Sequence, residues 1–175
     1  MKKLFLIITA LCLVSLMHAQ TNPIDDMFDK YSEKDGFTAV YISSKMFSLF
    51  AGKDTKSDEA GNIIRKLKSI RILTVKDSTL NLNINFYKEL SKRLNLSVYE
   101  ELMAVKEGSD VTKFLIRQDG DIISELLVIT GGPGDNTLIS IKGDLDLKTI
   151  SDLSKNSGIE ELKSLENIDK KPPQK

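Results

Sequence analysis

The stretch YEELMAVKEGSDVTKFLIRQDGDIISELLVITGGPGDNTLISIK, Tyr99–Lys142, decides the fold. It holds four β-prone runs, Tyr99–Lys106, Val111–Gln118, Asp121–Thr130 and Thr137–Lys142, rich in Val, Ile, Leu, Phe and Tyr. Between them stand Glu107-Gly108-Ser109-Asp110, Asp119-Gly120 and Gly131–Asn136, short segments of the residues that turns require. Asp119-Gly120 is the strongest hairpin signal in the chain. Connections this short join antiparallel neighbours, so the four runs read as a meander.

Upstream the grammar is different. Ile24, Met27, Phe28 and Tyr31 recur at helical spacing behind Asn22 as a cap, with Pro23 at the first position and Asp25 and Asp26 in the first turn; Gly36 ends the helix. Phe37–Ile42 is apolar on both faces and predicts an inner strand. Ser43-Ser44 can cap a helix to Phe50, whose Met46, Phe47, Leu49 and Phe50 share one arc and predict a face packed on the sheet. Ser57 caps a further helix that turns Ala60, Ile63, Ile64 and Leu67 to one side. Ser69–Lys76 reads as a strand, and Leu82, Phe86, Leu90 and Leu94 mark a helix ending near Asn95. After Gly143, Asp144 or Asp146 can cap a helix carrying Leu147, Ile150 and Leu153. A last short helical stretch holds Ile159, Leu162 and Leu165. The expected class is α+β: one mixed, mainly antiparallel sheet of about six strands, two crossover strands and then the four-strand meander, with helices largely on one face.

The ends read differently again. Lys2 and Lys3 precede Leu4–Leu16, an apolar run of 13 residues. That is short of the roughly 20 that a spanning helix needs, and small Ala19 follows at a cleavage position. Residues 1–19 are therefore expected to be a signal peptide, 20–168 a single globular domain, and 169–175 a flexible tail without apolar residues. Leu11 before Cys12 argues against lipid attachment there. The expected location is periplasmic or secreted, with no transmembrane segment once the leader is gone.

Removing residues 1–19 leaves 156 of 175, with no His, Cys or Trp, because His18 and Cys12 both lie in the leader. Lys2 and Lys3 go too, leaving 23 basic against 25 acidic side chains, a net charge of −2. This composition excludes a Ser-His-Asp triad, a cysteine nucleophile, a disulfide framework and His- or Cys-based metal sites. A near-neutral balance also argues against nucleic acid. Gly131-Gly132-Pro133-Gly134 lacks the Gly-Lys-Ser/Thr ending of a phosphate loop and reads as a turn. Glu100 and Glu101 point to opposite faces of a strand. Asp119 and Asp121 suit a turn, Asp144 and Asp146 suit a cap, and Asp25, Asp26 and Asp29 suit a helix start. No Ser is followed three residues later by Lys, and G-x-S-x-G is absent. No catalytic, cofactor-binding or metal-binding residue is assigned, and no cofactor is implied.

Several strings carry a resemblance: Val40-Tyr41-Ile42-Ser43-Ser44-Lys45-Met46-Phe47, Ser69-Ile70-Arg71-Ile72-Leu73, Tyr99-Glu100-Glu101-Leu102-Met103, and Ile139–Leu147. Together with the leader, they make the chain similar to a family of exported proteins, known mainly from Bacteroidetes and catalogued as domain of unknown function 4252. The resemblance spans about Ile24 to Leu153. It implies a Gram-negative envelope, no established activity and no functional residues to transfer. The function expected is a non-catalytic domain binding an envelope protein partner or a small apolar ligand. The alternative is a hydrolase or isomerase built on carboxylates, Lys and Ser alone. Intact-mass analysis of the exported protein should show a chain starting at Gln20; residues 1–19 retained, or a lipid adduct on Cys12, would contradict the leader reading.

Overall fold

The computed structural model describes residues 22–50 and 59–169. The leader, the Ser57 cap and residues 170–175 of the expected tail lie outside them. In chain order the elements are α1 (Pro23–Tyr31), β1 (Phe37–Ser43), α2 (Ser44–Phe50), α3 (Glu59–Lys66), β2 (Leu67–Val75), α4 (Ser78–Asn81), α5 (Phe86–Ser91), β3 (Glu100–Glu107), β4 (Asp110–Asp119), β5 (Ile122–Gly131), β6 (Thr137–Leu145) and α6 (Leu147–Asn156). Short 3-10 turns at Leu96–Val98 and Glu160–Leu165 complete them. The six strands form one sheet in the order β1-β2-β6-β5-β4-β3, every neighbouring pair antiparallel. This is the α+β class with the expected meander.

Glu107 pairs with Asp110, and Asp119 with Ile122, so each hairpin closes with a two-residue loop. Gly108 (φ 59°) and Gly120 (φ 58°) head those loops, and no atom lies within 4 Å of where a Cβ would sit on either. The requirement is conformational, a positive φ at the first loop position, as in a type II′ turn. The second loop is thus Gly120-Asp121, one residue later than the Asp-Gly signal suggests.

Alternation along β5 and β6 explains the layers. Leu126, Val128, Ile139 and Ile141 point into one core, together with Phe114, Ile150, Leu153, Leu162 and Leu165. Leu127, Ile129 and Leu138 point into a second, with Leu73 of β2, Ile24, Met27, Phe28 and Tyr31 of α1, and Phe86 and Leu90 of α5. Strands apolar on both sides need cover on both sides. Helices accordingly pack on both faces, where the sequence suggested largely one. Each fully buried Leu or Ile contributes about 1.5–3 kcal/mol, so neither layer is dispensable. The Tyr31 hydroxyl donates to Glu89 at 2.7 Å, tying α1 to α5, and its ring stacks on Phe37 at 4.8 Å.

A bulge sets the phase of β5. The β4–β5 register shifts between Arg117 and Gln118, leaving Ser124 as the extra residue, with its hydroxyl donating to the Arg117 carbonyl at 2.9 Å. Ile123 thereby joins the first core while Glu125 faces the second.

Three local expectations change. Phe37–Ile42 is not an inner strand: among the described residues β1 pairs only with β2, at the sheet edge, and Thr38 to Tyr41 are exposed. Two-sided apolarity describes a buried strand and an uncovered one equally well. The Met46–Phe50 arc is not uniformly packed, for Phe47 is buried while Met46 and Leu49 are exposed; the Phe50 side chain lies outside the description. Of the helix expected from Leu82 to Leu94 only Phe86–Ser91 forms, because Asn85 caps α5 by accepting from the Lys88 N–H, and Leu82 stands in solvent between α4 and α5.

Of the two candidate caps, Asp146 starts α6: its carboxylate accepts from the Thr149 N–H at 2.7 Å, and Lys66 Nζ donates to it at 2.6 Å. Burial alone would raise this carboxyl, but the Lys66 and Thr149 bonds outweigh it and hold the pKa down to about 2. A depressed carboxyl stabilises the fold above its unfolded value of about 4 and loses that contribution as pH falls towards 2. Asp146→Ala should cost about 0.5–2 kcal/mol at neutral pH. Urea unfolding should show the gap from wild type narrowing below about pH 4. A gap unchanged at the acid end would show that the charge plays no part.

Candidate functional site

The glycine-rich segment between β5 and β6 is a turn, as read, but a turn around which four elements meet. Asn136 is fully buried. Its Oδ1 accepts from the Phe86 N–H at 2.9 Å, and its Nδ2 donates to Asn81 Oδ1 at 3.0 Å and to the Gly132 carbonyl at 2.8 Å. Its own carbonyl accepts from the Val75 N–H at 3.0 Å. One side chain thus fixes α4, α5 and the loop to β6. A Cβ on Gly132 would stand 1.8 Å from Asp110 Oδ1, so the glycine permits β4 to approach.

A polar cluster interrupts the second core. Glu125 on β5 is 0% exposed. It accepts from Ser140 Oγ at 2.6 Å and Tyr99 Oη at 2.9 Å, and Arg117 Nη2 lies 3.2 Å away. Burial pushes the Tyr99 phenol well above its usual range, reinforced by the neighbouring Glu125 charge and hydrogen bond. At this end of α1, Arg71 pairs with Asp25 at 2.5 Å and lies over the Phe28 ring. Among the described residues no buried side-chain nitrogen or oxygen lacks a partner. The cluster is therefore saturated, and it acts by fixing Tyr99 and Arg117 against the sheet.

Two concavities have different chemistry. A pocket of about 230 Å³ beside the β3–β4 hairpin gathers Glu107, Asp110, Asp135, Glu160 and Glu161 with Thr112, Thr130 and Ser164. Burial pushes the Asp135 carboxyl up, with help from the Glu161 and Asp110 charges, against a counteracting bond from Thr137. Among the described residues, no group of three or more carboxylates is arranged to hold a metal ion. A groove of about 430 Å³ opens on the first-core face between α2–α3 and α6. Its floor is Ile42 of β1 with Leu67, Ile70 and Ile72 of β2, its walls Phe47, Ile63, Ile64, Leu153 and Ile159, and Asp152, Asn156 and Ser157 supply its few polar groups.

The acidic residues singled out in the sequence go to separate places. Asp25 pairs with Arg71, Asp26 with Arg93, Glu101 with Lys113 at 2.6 Å and Asp144 with Lys68 at 2.5 Å, while Gln118 donates to Glu100 at 3.1 Å. None of them lines the acidic pocket or the groove. Sequence reasoning missed Glu125, although a carboxylate inside Ile122–Thr130 was a usable signal, since a charge in a buried run needs partners. It also missed the acidic pocket, whose members come from four separated segments.

Glu125→Ala should cost about 3 kcal/mol, the low end for breaking a buried pair, because Arg117 reaches solvent while Tyr99 and Ser140 lose a shared acceptor. Glu125→Gln, which keeps an acceptor, should cost less. Denaturant unfolding of both against wild type measures this, and a loss below about 1 kcal/mol for the alanine variant would refute a structural role.

Among the described residues no helix is long and apolar enough to cross a membrane. In comparisons with known proteins, no curated protein and no solved structure matched the chain. The family model described as "Domain of unknown function (DUF4252)" matches residues 31–153. That span takes in the whole sheet, the groove floor, the Glu125 cluster and the Asn136 loop, and leaves most of α1 outside. Matched over more than half its length, the chain belongs to this family of domains of unknown function.

Proposed function

We propose that this chain is a non-catalytic binding domain, exported to the periplasm or beyond, that holds a small apolar ligand. The observation carrying the reading is the groove of about 430 Å³ lined by Ile42, Phe47, Ile63, Ile64, Ile70 and Ile72. Its volume falls within the range of small-molecule sites, and such sites are apolar with a few polar groups to orient the ligand. The leader supports the location: Lys2 and Lys3, the apolar Leu4–Leu16 and Ala19 are the parts of a cleaved export signal. Apolar material reaching such a compartment needs carriers, because water excludes it.

Six of the groove residues are isoleucines: Ile42, Ile63, Ile64, Ile70, Ile72 and Ile159. Isoleucine methyl NMR during titration with a medium-chain fatty acid should therefore move these signals, while Ile24 and Ile129, in the other core, stay still. Ile64→Glu places a carboxylate in the wall and should weaken binding at least about tenfold, since an unpaired charge against an apolar ligand is costly. Shifts scattered over both cores, or none at saturation, would remove the groove as a ligand site.

A second reading has one specific observation behind it. The acidic pocket places several carboxylates in one concavity, with Asp135 pushed towards its protonated form, the arrangement general acid catalysis uses. A hydrolase using carboxylates and Ser alone would work there. Turnover of any ester or glycoside abolished by Asp135→Asn, with folding intact, would favour it over the carrier.

A further inference from the structure

The two edges of the sheet are treated differently. β3, Glu100–Glu107, carries Glu100, Glu101, Lys106 and Glu107, the charges that keep an edge from pairing with another chain. β1, Phe37–Ser43, carries no charge, no proline and no bulge over its seven residues, and it pairs with β2 without a register shift. Of the nine large apolar side chains that are exposed among the described residues, four lie in or just after it: Val40, Tyr41, Met46 and Leu49. A long, flat, uncharged edge is a template for another strand.

We infer that β1 pairs with β1 of a second copy of this chain, antiparallel and centred on Val40, joining two sheets into one of twelve strands. Three features select this occupant. A two-fold axis through Val40 places Ala39 opposite the partner's Tyr41, small against large on the same face, and Val40 opposite the partner's Val40. It brings Asp35 to the end of the pair where the partner's Lys45 stands, and does so twice, so opposite charges flank an uncharged core. Both are exposed, Asp35 in the turn that precedes β1 and Lys45 in the first turn of α2. The same axis, perpendicular to the sheet, keeps faces aligned, so α2 of each copy lies on the same side and Met46 and Leu49 gain a covering surface. Assembly stops at two, because the free edges are then both charged β3 strands.

Light scattering on the purified protein should give twice the single-chain mass. Val40→Glu and Val40→Lys each set like charges face to face and should each weaken the dimer about a hundredfold or more. An equimolar mixture of the two variants should restore it. Circular dichroism monitors folding. If either Val40 variant loses its fold, the exposed pair decides: Asp35→Lys alone should weaken the dimer, and Asp35→Lys with Lys45→Asp should recover it. A wild-type protein of single-chain mass, or a dimer indifferent to charge both at Val40 and at Asp35 and Lys45, overturns the inference.

Discussion

The structure depends on one constraint: β5 and β6 are apolar on both sides. Leu126 and Leu127, Val128 and Ile129, Leu138 and Ile139 point alternately up and down, and all six are essentially inaccessible to water. Antiparallel sheets commonly leave one face wet, and this one has no such choice in its middle. Covering only one face would leave several side chains in water, each forfeiting about 1.5–3 kcal/mol, against a total stability of about 5–15 kcal/mol. The second layer is therefore a condition of folding. It is supplied from before the meander by α1 and α5, while α6 and the final 3-10 turn, from after it, serve the first face.

Glu125 follows from the same constraint. A two-sided strand carries any polar residue into a core, and there a charge must be matched or the fold fails. The match is assembled from three strands' worth of sequence, Ser140 on β6, Arg117 on β4 and Tyr99 just before β3, which sequence distance hides and antiparallel register brings together. The Ser124 bulge is part of this solution. Without it Ile123 and Glu125 would share a face, placing an isoleucine within the polar cluster or the glutamate in the first core.

Local signals carried much of the fold. The four late strands, the Asn22 cap, the Asp146 alternative and the positive-φ glycines could be read because each depends on neighbours within a few residues. Partners over long separations could not be. Phe37–Ile42 read as inner because apolarity reports fitness for burial and not whether a neighbour exists. Met46 and Leu49 fit a packed arc, yet of the described α2 side chains it is Phe47 that meets the core, while these two stand in solvent. The candidate sites were less legible than the fold. Glu125 announced itself by being out of place, whereas the groove is a gap between elements, and no pattern along the chain encodes a gap.

The location of that gap has a physical cause. On the second face α1 and α5 are bound to each other by Tyr31 and Lys30 to Glu89, and to the sheet by Asn136 on the Phe86 N–H and by Arg71 on Asp25, so that layer is closed. On the first face α6 and the 3-10 turn cover the strands of the meander, while α2 and α3 come from the β1–β2 connection at the opposite edge. Lys66 of α3 is joined to Asp146 at the start of α6, which brings the two groups together at that end. Beyond it they diverge over β1 and β2, where Ile42, Ile70 and Ile72 form an apolar floor between Phe47 and Ile64 on one side and Leu153 and Ile159 on the other. Interiors close-pack wherever the backbone allows it, so an apolar groove persists where two separately anchored layers meet at an edge and no further element among the described residues fills it. In this chain that place lies beside the uncharged strand, and the open groove and the open edge share one origin: the sheet ends at β1 before its cover does.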